Sequence, residues 1–234
     1  MIRSSRILIA ILLLGYLFSQ CSNDEIGPDK DRVGFSYFPV EVGSWRAYDI
    51  NRSTFLIIGD TLEESFQLRE EIVDFFINAE NDTTYILHRS IRGSESSDFV
   101  LDSVWSVRRT ANQAIVIENN APIVKLGFPI RDGLSWDANI LNTLDEELYE
   151  MDEIGFELIV KDNSFNNTLR VVESDVQDTI IRFDQRFDHY AINIGLVKKT
   201  ALILNYCSNV DCLGMGIIES GLEFEQELID YGPK

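Results

Sequence analysis

From residue 35 onward, apolar and polar residues alternate with a period of two. In residues 222–227, for example, Leu222 and Phe224 fall on one face of an extended chain and the three interleaved glutamates fall on the other. Successive side chains of a β-strand point to opposite sides, so this pattern predicts strands with one apolar and one solvent-facing side. Antiparallel sheets have that property. The alternation therefore predicts an all-β domain.

Further candidate strands follow at intervals of about ten residues, the spacing typical of sandwiches and barrels. They are residues 72–77, 84–91, 104–110, 114–118, 156–161, 169–174, 179–183, 192–198 and 201–206. Helix-forming segments are short: residues 60–66 and 184–191 could each form one or two turns. We expect an antiparallel sandwich or half-open barrel with one or two short helices.

The first twenty residues have the composition of a secretory signal. Arg3 and Arg6 precede about a dozen apolar residues, which is too few for a membrane-spanning helix. The segment that follows, Leu-Phe-Ser-Gln-Cys, resembles a bacterial lipobox, in which the leader is removed and the cysteine thiol is diacylated. We expect residues 1–20 to be a lipoprotein signal peptide and Cys21 to be the lipidation site. The alternative is an ordinary signal peptide that ends in a chance cysteine.

The segment after Cys21 is polar and acidic. Residues 21–34 contain glycine and proline but no apolar period, which predicts a flexible tether. Acidic residues directly after the cysteine resemble the export signal of Bacteroidetes-type surface lipoproteins. We therefore expect the acylated N-terminus to hold the protein in the outer membrane, facing either the periplasm or the cell exterior.

Charge and cysteine content exclude several classes of partner and cofactor. The 234 residues include 20 basic and 39 acidic side chains, for a net charge of −19, and such a field repels the phosphates of nucleic acids. With Cys21 acylated, Cys207 and Cys212 remain, and we expect them to form a disulfide, with two free thiols as the alternative. A zinc site would need two more ligands, and His88 and His189 stand alone. We expect neither a metal nor another cofactor.

One segment of the chain is repeated. The series Phe38-Pro39, Gly43 and Trp45 recurs ninety residues later as Phe128-Pro129, Gly133 and Trp136, with one residue added. In each copy, we expect the aromatic residue before proline and the tryptophan after glycine to close over one apolar patch. The repeat divides the predicted single domain, residues 35–234, into two related halves, residues 35–125 and 126–234. Chance similarity of two Phe-Pro turns is the alternative, and a functional tryptophan platform is a further one.

The order of these motifs resembles that in uncharacterised Bacteroidetes-type envelope lipoproteins. The resemblance includes both Phe-Pro segments, Gly195-Leu196-Val197-Lys198 and the C-terminal residues 218–232, so it spans nearly all of the mature chain. It implies an anchored all-β domain. It implies no activity.

A weaker pattern concerns hydroxyl residues. Aspartate precedes Thr61, Thr83, Ser103 and Thr179, and each resulting triplet resembles the O-glycosylation acceptor of Bacteroidetes envelope proteins. Turn-forming Asp-Thr and Asp-Ser pairs at strand ends explain the same pattern. We expect at least one of these hydroxyls to carry a glycan.

No motif for enzymatic catalysis is present. The sequence lacks a Gly-x-Ser-x-Gly segment, and its many acidic pairs are expected on solvated strands. We therefore expect a non-enzymatic binding or structural role in the envelope, with a protein or glycan partner that the sequence does not identify. A concave apolar face that binds a lipid or another hydrophobic ligand is the first alternative, and an enzyme acting on polysaccharide is the second. A cavity of several hundred Å³ would favour the first alternative.

Overall fold

The computed structural model describes residues 30–57 and 59–233. These residues form a short helix, α1 (Lys30–Val33), a 3₁₀ turn (Phe35–Tyr37) and twelve strands. The strands are β1 (Trp45–Phe55), β2 (Thr61–Ile77), β3 (Thr83–Arg92), β4 (Val100–Arg109), β5 (Gln113–Glu118), β6 (Ala121–Gly127), β7 (Ser135–Asp137), β8 (Leu148–Val160), β9 (Asn163–Gln177), β10 (Arg182–Ala191), β11 (Gly195–Tyr206) and β12 (Ile218–Gly232). In the described residues, no helix is long and apolar enough to cross a membrane.

All twelve strands belong to one antiparallel sheet. Neighbours in sequence are neighbours in the sheet, except that β12 pairs with β1 and that β6 and β7 are the two edges. The edges approach each other: Val124 N donates to Ala138 O at 2.9 Å, and Asn142 Nδ2 donates to Pro122 O at 2.9 Å. The sheet is therefore a nearly closed barrel with a seam between β6 and β7. The predicted all-β fold is confirmed in its half-open barrel form.

The period-two pattern places apolar side chains inside the barrel. In β12, Phe224 packs with the core and Leu228 is buried in it. The alternating glutamates lie on the outer face, where Lys198 Nζ binds Glu225 at 2.7 Å and Glu227 at 2.8 Å. Because the two faces of the strand meet different surroundings, a shift by one residue would exchange them, and the register is well specified.

The strand order divides the barrel into β1–β6 and β7–β12. Each half begins with a Phe-Pro segment in which the glycine and the residue after it form the same pair of hydrogen bonds. Gly43 N donates to Ile72 O at 2.7 Å, and Ile72 N donates back to the loop carbonyl of residue 44 at 2.9 Å. In the second half, Gly133 N donates to Met151 O at 2.8 Å, and Met151 N donates to the carbonyl of residue 134 at 2.9 Å. The two loops share this geometry; a common origin of the halves stays a prediction.

Both segments that we expected to be helical are strands. Residues 60–66 enter β2 and residues 184–191 lie in β10. The acidic residues that favour a helix start in the first segment instead bind across the β1–β2 ladder, where Ser53 Oγ donates to Glu63 at 2.6 Å. Pairing with a neighbouring strand therefore outweighs local helix preference. The short helix α1 lies instead in the segment that the sequence assigns to the tether.

Residues 33–40, which we call the N-terminal segment, close one end of the barrel. Ile130 N donates to Val33 O at 3.0 Å, and Arg109 Nη1 donates to the carbonyls of Phe35 at 3.1 Å and Phe38 at 2.9 Å. Val40 at its end is buried against the β2, β3 and β4 side chains of the core. The chain that enters from the N-terminal side is thus packed against the barrel before β1 begins.

Candidate functional site

The barrel encloses a cavity of about 220 Å³ beneath the N-terminal segment. Strands β1 to β6 and β10 to β12 contribute to its wall. Its apolar lining includes Phe38, Val40, Ile72, Leu87, Val107 and Val116. A dry engineered cavity of about 150 Å³ binds benzene, so this cavity has room for one ring with a short chain. Every second side chain of β2 to β5 points inward, and most of these positions are apolar, so the alternating sequence creates this lining.

One charged pair on the wall is covered by an aromatic ring. Arg89 Nε donates to Glu70 Oε1 at 3.0 Å, and the guanidinium lies 3.7 Å from the ring centroid of Trp105. The guanidinium is thus both neutralised and stacked, a stabilising cation–π arrangement. The pair leaves no free charge on this part of the wall.

A second group of charges lies where β9, β10 and β11 face β5 and β6. Lys199 Nζ donates to Glu173 Oε1 and to Asp188 Oδ1, each at 2.9 Å. Lys125 Nζ lies 3.6 Å from Glu173 and 3.3 Å from Glu118. The carboxylates of Glu173 and Asp188 are only 4% and 3% exposed, so each lysine neutralises charge that water does not reach. We call these five residues the ion cluster.

The two buried carboxyls of the ion cluster have opposite pKa shifts. Burial opposes ionisation of Glu173, but the nearby Lys199 and Lys125 outweigh it and lower the pKa to about 2. Burial, and then the negative charge of Glu173, raises the pKa of Asp188 to about 6 despite its contact with Lys199. The surroundings therefore favour the ionised form of Glu173 and the protonated form of Asp188, each more than water does.

Arg46 also lines the cavity, but it has no carboxylate partner. Its Nη1 donates to Ile194 O at 2.9 Å, and it forms no ion pair in the part of the chain that the structure describes. A Cβ atom on Gly195, whose φ is +95°, would lie 2.9 Å from Arg46 Nη1. Gly195 therefore allows the guanidinium to lie against the turn between β10 and β11.

Gln226 is a further polar side chain on the cavity wall. Its side chain is buried, with the residue 4% exposed, and it lines the cavity next to Lys199, its cross-strand neighbour. An amide can donate and accept, so Gln226 can bind either kind of group on a molecule in the cavity.

The predicted modification sites lie away from this cavity. Cys21 is outside the described residues. The structure contains the disulfide between Cys207 and Cys212, in the loop between β11 and β12. Thr61 and Thr179 are exposed and Thr83 is half-buried, whereas Ser103 Oγ is inaccessible. A glycan on Ser103 would have to be added before folding; glycosylation stays a prediction.

The four predicted structural aromatics do not form two equal patches. Phe128 is buried and Trp136 packs against the same core cluster, so the structure brings these two together. Phe38 lines the cavity, but Trp45 lies on the outer face, opposite its cavity-lining neighbour Arg46. The second copy of the motif therefore closes over one apolar patch and the first does not.

The two histidines are separate from each other and from the cavity. His88 lies in β3, and His189 lies in β10, where its Nδ1 is buried without a partner. Burial, and then the positive charges of Arg170 and Lys198, lowers the pKa of His189 to about 4. Within residues 30–57 and 59–233, no group of three or more potential ligands is arranged to hold a metal ion.

Comparison with known proteins gives distant similarities. No family and no curated protein matches the sequence. Two solved structures that are similar to it are a predicted exported protein with a YmcC-like fold from Bacteroides fragilis (9% identity, TM-score 0.43) and a predicted lipoprotein from Parabacteroides distasonis (8% identity, TM-score 0.38). Each alignment covers 84% of this chain and 98% of the other. TM-scores below 0.5 establish neither a common fold nor a common function.

Sequence reasoning does not find the polar residues of the cavity. Lys198 and Lys199 are adjacent in β11, yet Lys198 binds outer glutamates and Lys199 belongs to the ion cluster. Arg46 carries a clearer signal, because it shares a strand face with the buried Tyr48 and Ile50. A charge within an apolar series of alternate residues marks a candidate interior site.

Proposed function

We propose that the protein is a lipid-anchored envelope protein that binds a small amphipathic molecule inside its barrel, without catalysing a reaction. The observation that carries the proposal is the cavity of about 220 Å³, which has an apolar wall, a guanidinium outside any ion pair of the described residues, Arg46, and a buried amide, Gln226. Binding sites for small molecules have this composition: mostly apolar surface with a few polar groups that fix orientation. A barrel that served only as a scaffold would be stabilised by filling this space.

The non-enzymatic part of the proposal is supported by the ion cluster. Glu173 and Asp188 are the deeply buried carboxyls beside the cavity, and both accept hydrogen bonds from Lys199. Paired in this way, they stabilise the wall and neutralise the lysines. Glycoside hydrolysis needs two carboxyls that reach the bond to be broken, whereas Glu173 and Asp188 are both bound to the same lysine.

The binding proposal is tested by filling the cavity. Val116 lines it, whereas Val104 lies on the outer face of β4 and is 55% exposed. We expect 4-phenylbutan-1-ol, titrated by calorimetry, to bind the purified protein, Val116→Trp to weaken its affinity at least about tenfold, and Val104→Trp to leave it unchanged. Absence of binding to the wild-type protein, or equal binding by both variants, would contradict the proposal.

The anchoring proposal is tested separately at Cys21. Two or three acyl chains hold a protein durably on a bilayer, whereas one chain holds it only weakly. Cys21→Ala should therefore move the protein from the membrane fraction to the soluble fraction of cells. A variant that stays with the outer membrane would rule out anchoring through this residue.

A further inference from the structure

We propose that the molecule in the cavity is a small carboxylate and that Arg46 binds its head group. This inference rests on the proposed function, because it names the chemical class of the ligand that the cavity holds. It follows from the charges on the cavity wall, from the way Arg46 is held, and from the position of Gln226.

The first step is the pairing of the cations that line the cavity. Arg89 is bound to Glu70 at 3.0 Å. Lys125 lies between Glu118 and Glu173, and Lys199 lies between Glu173 and Asp188. Arg46 is the lining cation that has no ion pair among the described residues. Within the described part of the chain, Arg46 is therefore a guanidinium outside any ion pair, while the negative charge that balances it lies in the ion cluster, where three carboxylates share two lysines. At such a half-buried cation a counterion in direct contact is favoured over water.

The second step is the orientation of the guanidinium. A hydrogen bond from Nη1 to Ile194 O holds Arg46 against the turn between β10 and β11, and the guanidinium also donates to the Tyr48 hydroxyl. An arginine has five N–H donors in a planar fork, and a carboxylate accepts two of them in parallel. The contact with Ile194 therefore places the arginine without using up its donors. Lysine at this position could not offer the same two-point contact.

The third step concerns the rest of the ligand. Ile72, Leu87, Val107 and Val116 form an apolar wall, which fits a hydrocarbon body. Gln226 offers one further donor and acceptor beside that wall. The volume limits the body to about one ring with a short chain. A short arylalkyl or alkyl carboxylate has this combination of size, head group and apolar surface.

The experiment compares three probes that share one carbon skeleton: 4-phenylbutyrate, 4-phenylbutan-1-ol and 4-phenylbutylamine. Each is titrated by calorimetry at neutral pH into the purified protein and into Arg46→Gln and Arg52→Gln. Arg52 is the matched control, since it lies on the same strand but pairs with Glu64 and does not line the cavity. We expect wild-type protein and Arg52→Gln to bind the carboxylate about tenfold more tightly than the alcohol, and the amine more weakly than either.

In Arg46→Gln, we expect the carboxylate to lose about tenfold in affinity while the alcohol changes less than about twofold. Retained alcohol binding shows that this variant is folded and its cavity intact. Equal affinities of carboxylate and alcohol in the wild-type protein would overturn the assignment of the head group and leave the proposed function standing. Failure of all three probes to bind the wild-type protein would overturn both. Selective carboxylate binding that survives in Arg46→Gln would show that another residue is responsible.

Discussion

The two Phe-Pro loops hold their glycines alike but place their tryptophans on different faces of the sheet. Trp45 lies on the outer face of β1, over Gly232 and with the Arg69 guanidinium 4.4 Å from its ring centroid. Trp136 faces the core, 6.1 Å from the ring of Tyr149. Two segments of nearly the same sequence therefore place a tryptophan on the outer face in the first half and in the core in the second.

A single residue explains the difference. Two positions separate Gly43 from Trp45, whereas three separate Gly133 from Trp136. Since side chains alternate between faces, one added residue moves the tryptophan from one face to the other. The comparison teaches that, in a strand, the spacing of a motif decides its role as much as its composition does.

The positions of the two strands show what each tryptophan contributes. β1 is paired on both sides, with β2 and β12, whereas β7 has three residues and pairs only with β8. Trp136 Nε1 donates to Val124 O at 2.9 Å and so joins β7 to β6 across the seam. The second half also carries most of the buried charge of the cavity wall, since Glu173, Asp188 and Lys199 lie in β9, β10 and β11.

The largest expected effect comes from removing the central cation of the second half. Lys199→Met leaves Glu173 and Asp188 without their shared partner, and breaking a buried ion pair costs about 3–5 kcal/mol. Arg89→Met in the first half removes a less deeply buried pair and should cost about 1 kcal/mol. Urea denaturation at neutral pH measures both changes. Equal losses would show that the two halves do not differ in how they bury charge.

The next effect concerns the seam. Trp136→Ala removes core packing and the bond to Val124 O, and we expect it to lower the free energy of unfolding by about 3 kcal/mol. Trp136→Phe should restore most of the packing but not the bond. The same denaturation experiment, together with hydrogen exchange of the Val124 amide, checks the result. If that amide, which donates to Ala138 O, is as protected in the variants as in the wild type, Trp136 does not hold the seam.

A third test separates the two titrating groups of β10. The unfolded chain protonates histidine near pH 6.5, but folded His189 does so near 4, so this residue lowers stability as the pH falls through that range. Asp188 acts in the opposite sense: its folded pKa of about 6 lies above the usual 3.8, so its unfavourable effect on stability diminishes as the pH falls from neutral.

His189→Gln should therefore be more stable than the wild type at pH 5 by about 2 kcal/mol, once both are compared with their values at pH 7. Thermal unfolding across pH 4–7 measures the difference. Parallel profiles for the two proteins would mean that His189 is not buried as the structure describes it.

The smallest effect is expected at the first tryptophan. Trp45→Ala removes the stacking with Arg69 and uncovers Gly232, but it opens no space in the core, and we expect a loss of about 1 kcal/mol. Denaturation midpoints for this variant and Trp136→Ala, measured side by side, test the comparison directly. A loss at residue 45 as large as that at residue 136 would remove the distinction between the two loops.

Much of the fold was predictable because it depends on local pattern. Alternation identified the sheet, and the turn between β5 and β6 is made by two asparagines, Asn119 and Asn120, with φ of 50° and 68°. Residues 192–198 show the limit: their apolar composition suggests one strand, but Asn193, with φ of 62°, lies in the turn before β11.

The cavity could not be predicted in the same way. It depends on how far the sheet curls and on which charges lie opposite one another, and both are set by pairing between strands distant in sequence. Glu173 and Lys125 are an example, since they come from β9 and β6 and meet only when the barrel closes. A local sequence pattern does not show which residues of distant strands come into contact.

The N-terminal segment connects a force on the chain to the cavity inside the barrel. Among the described residues, tension applied from the N-terminal side acts on the bond from Ile130 N to Val33 O and on the two bonds from Arg109. Immediately beyond them, Phe38 and Val40 form the ceiling of the cavity. A force that broke these bonds would move Phe38 and Val40 away from the cavity before it acted on any strand. The volume of the cavity is therefore coupled to force on the N-terminal segment.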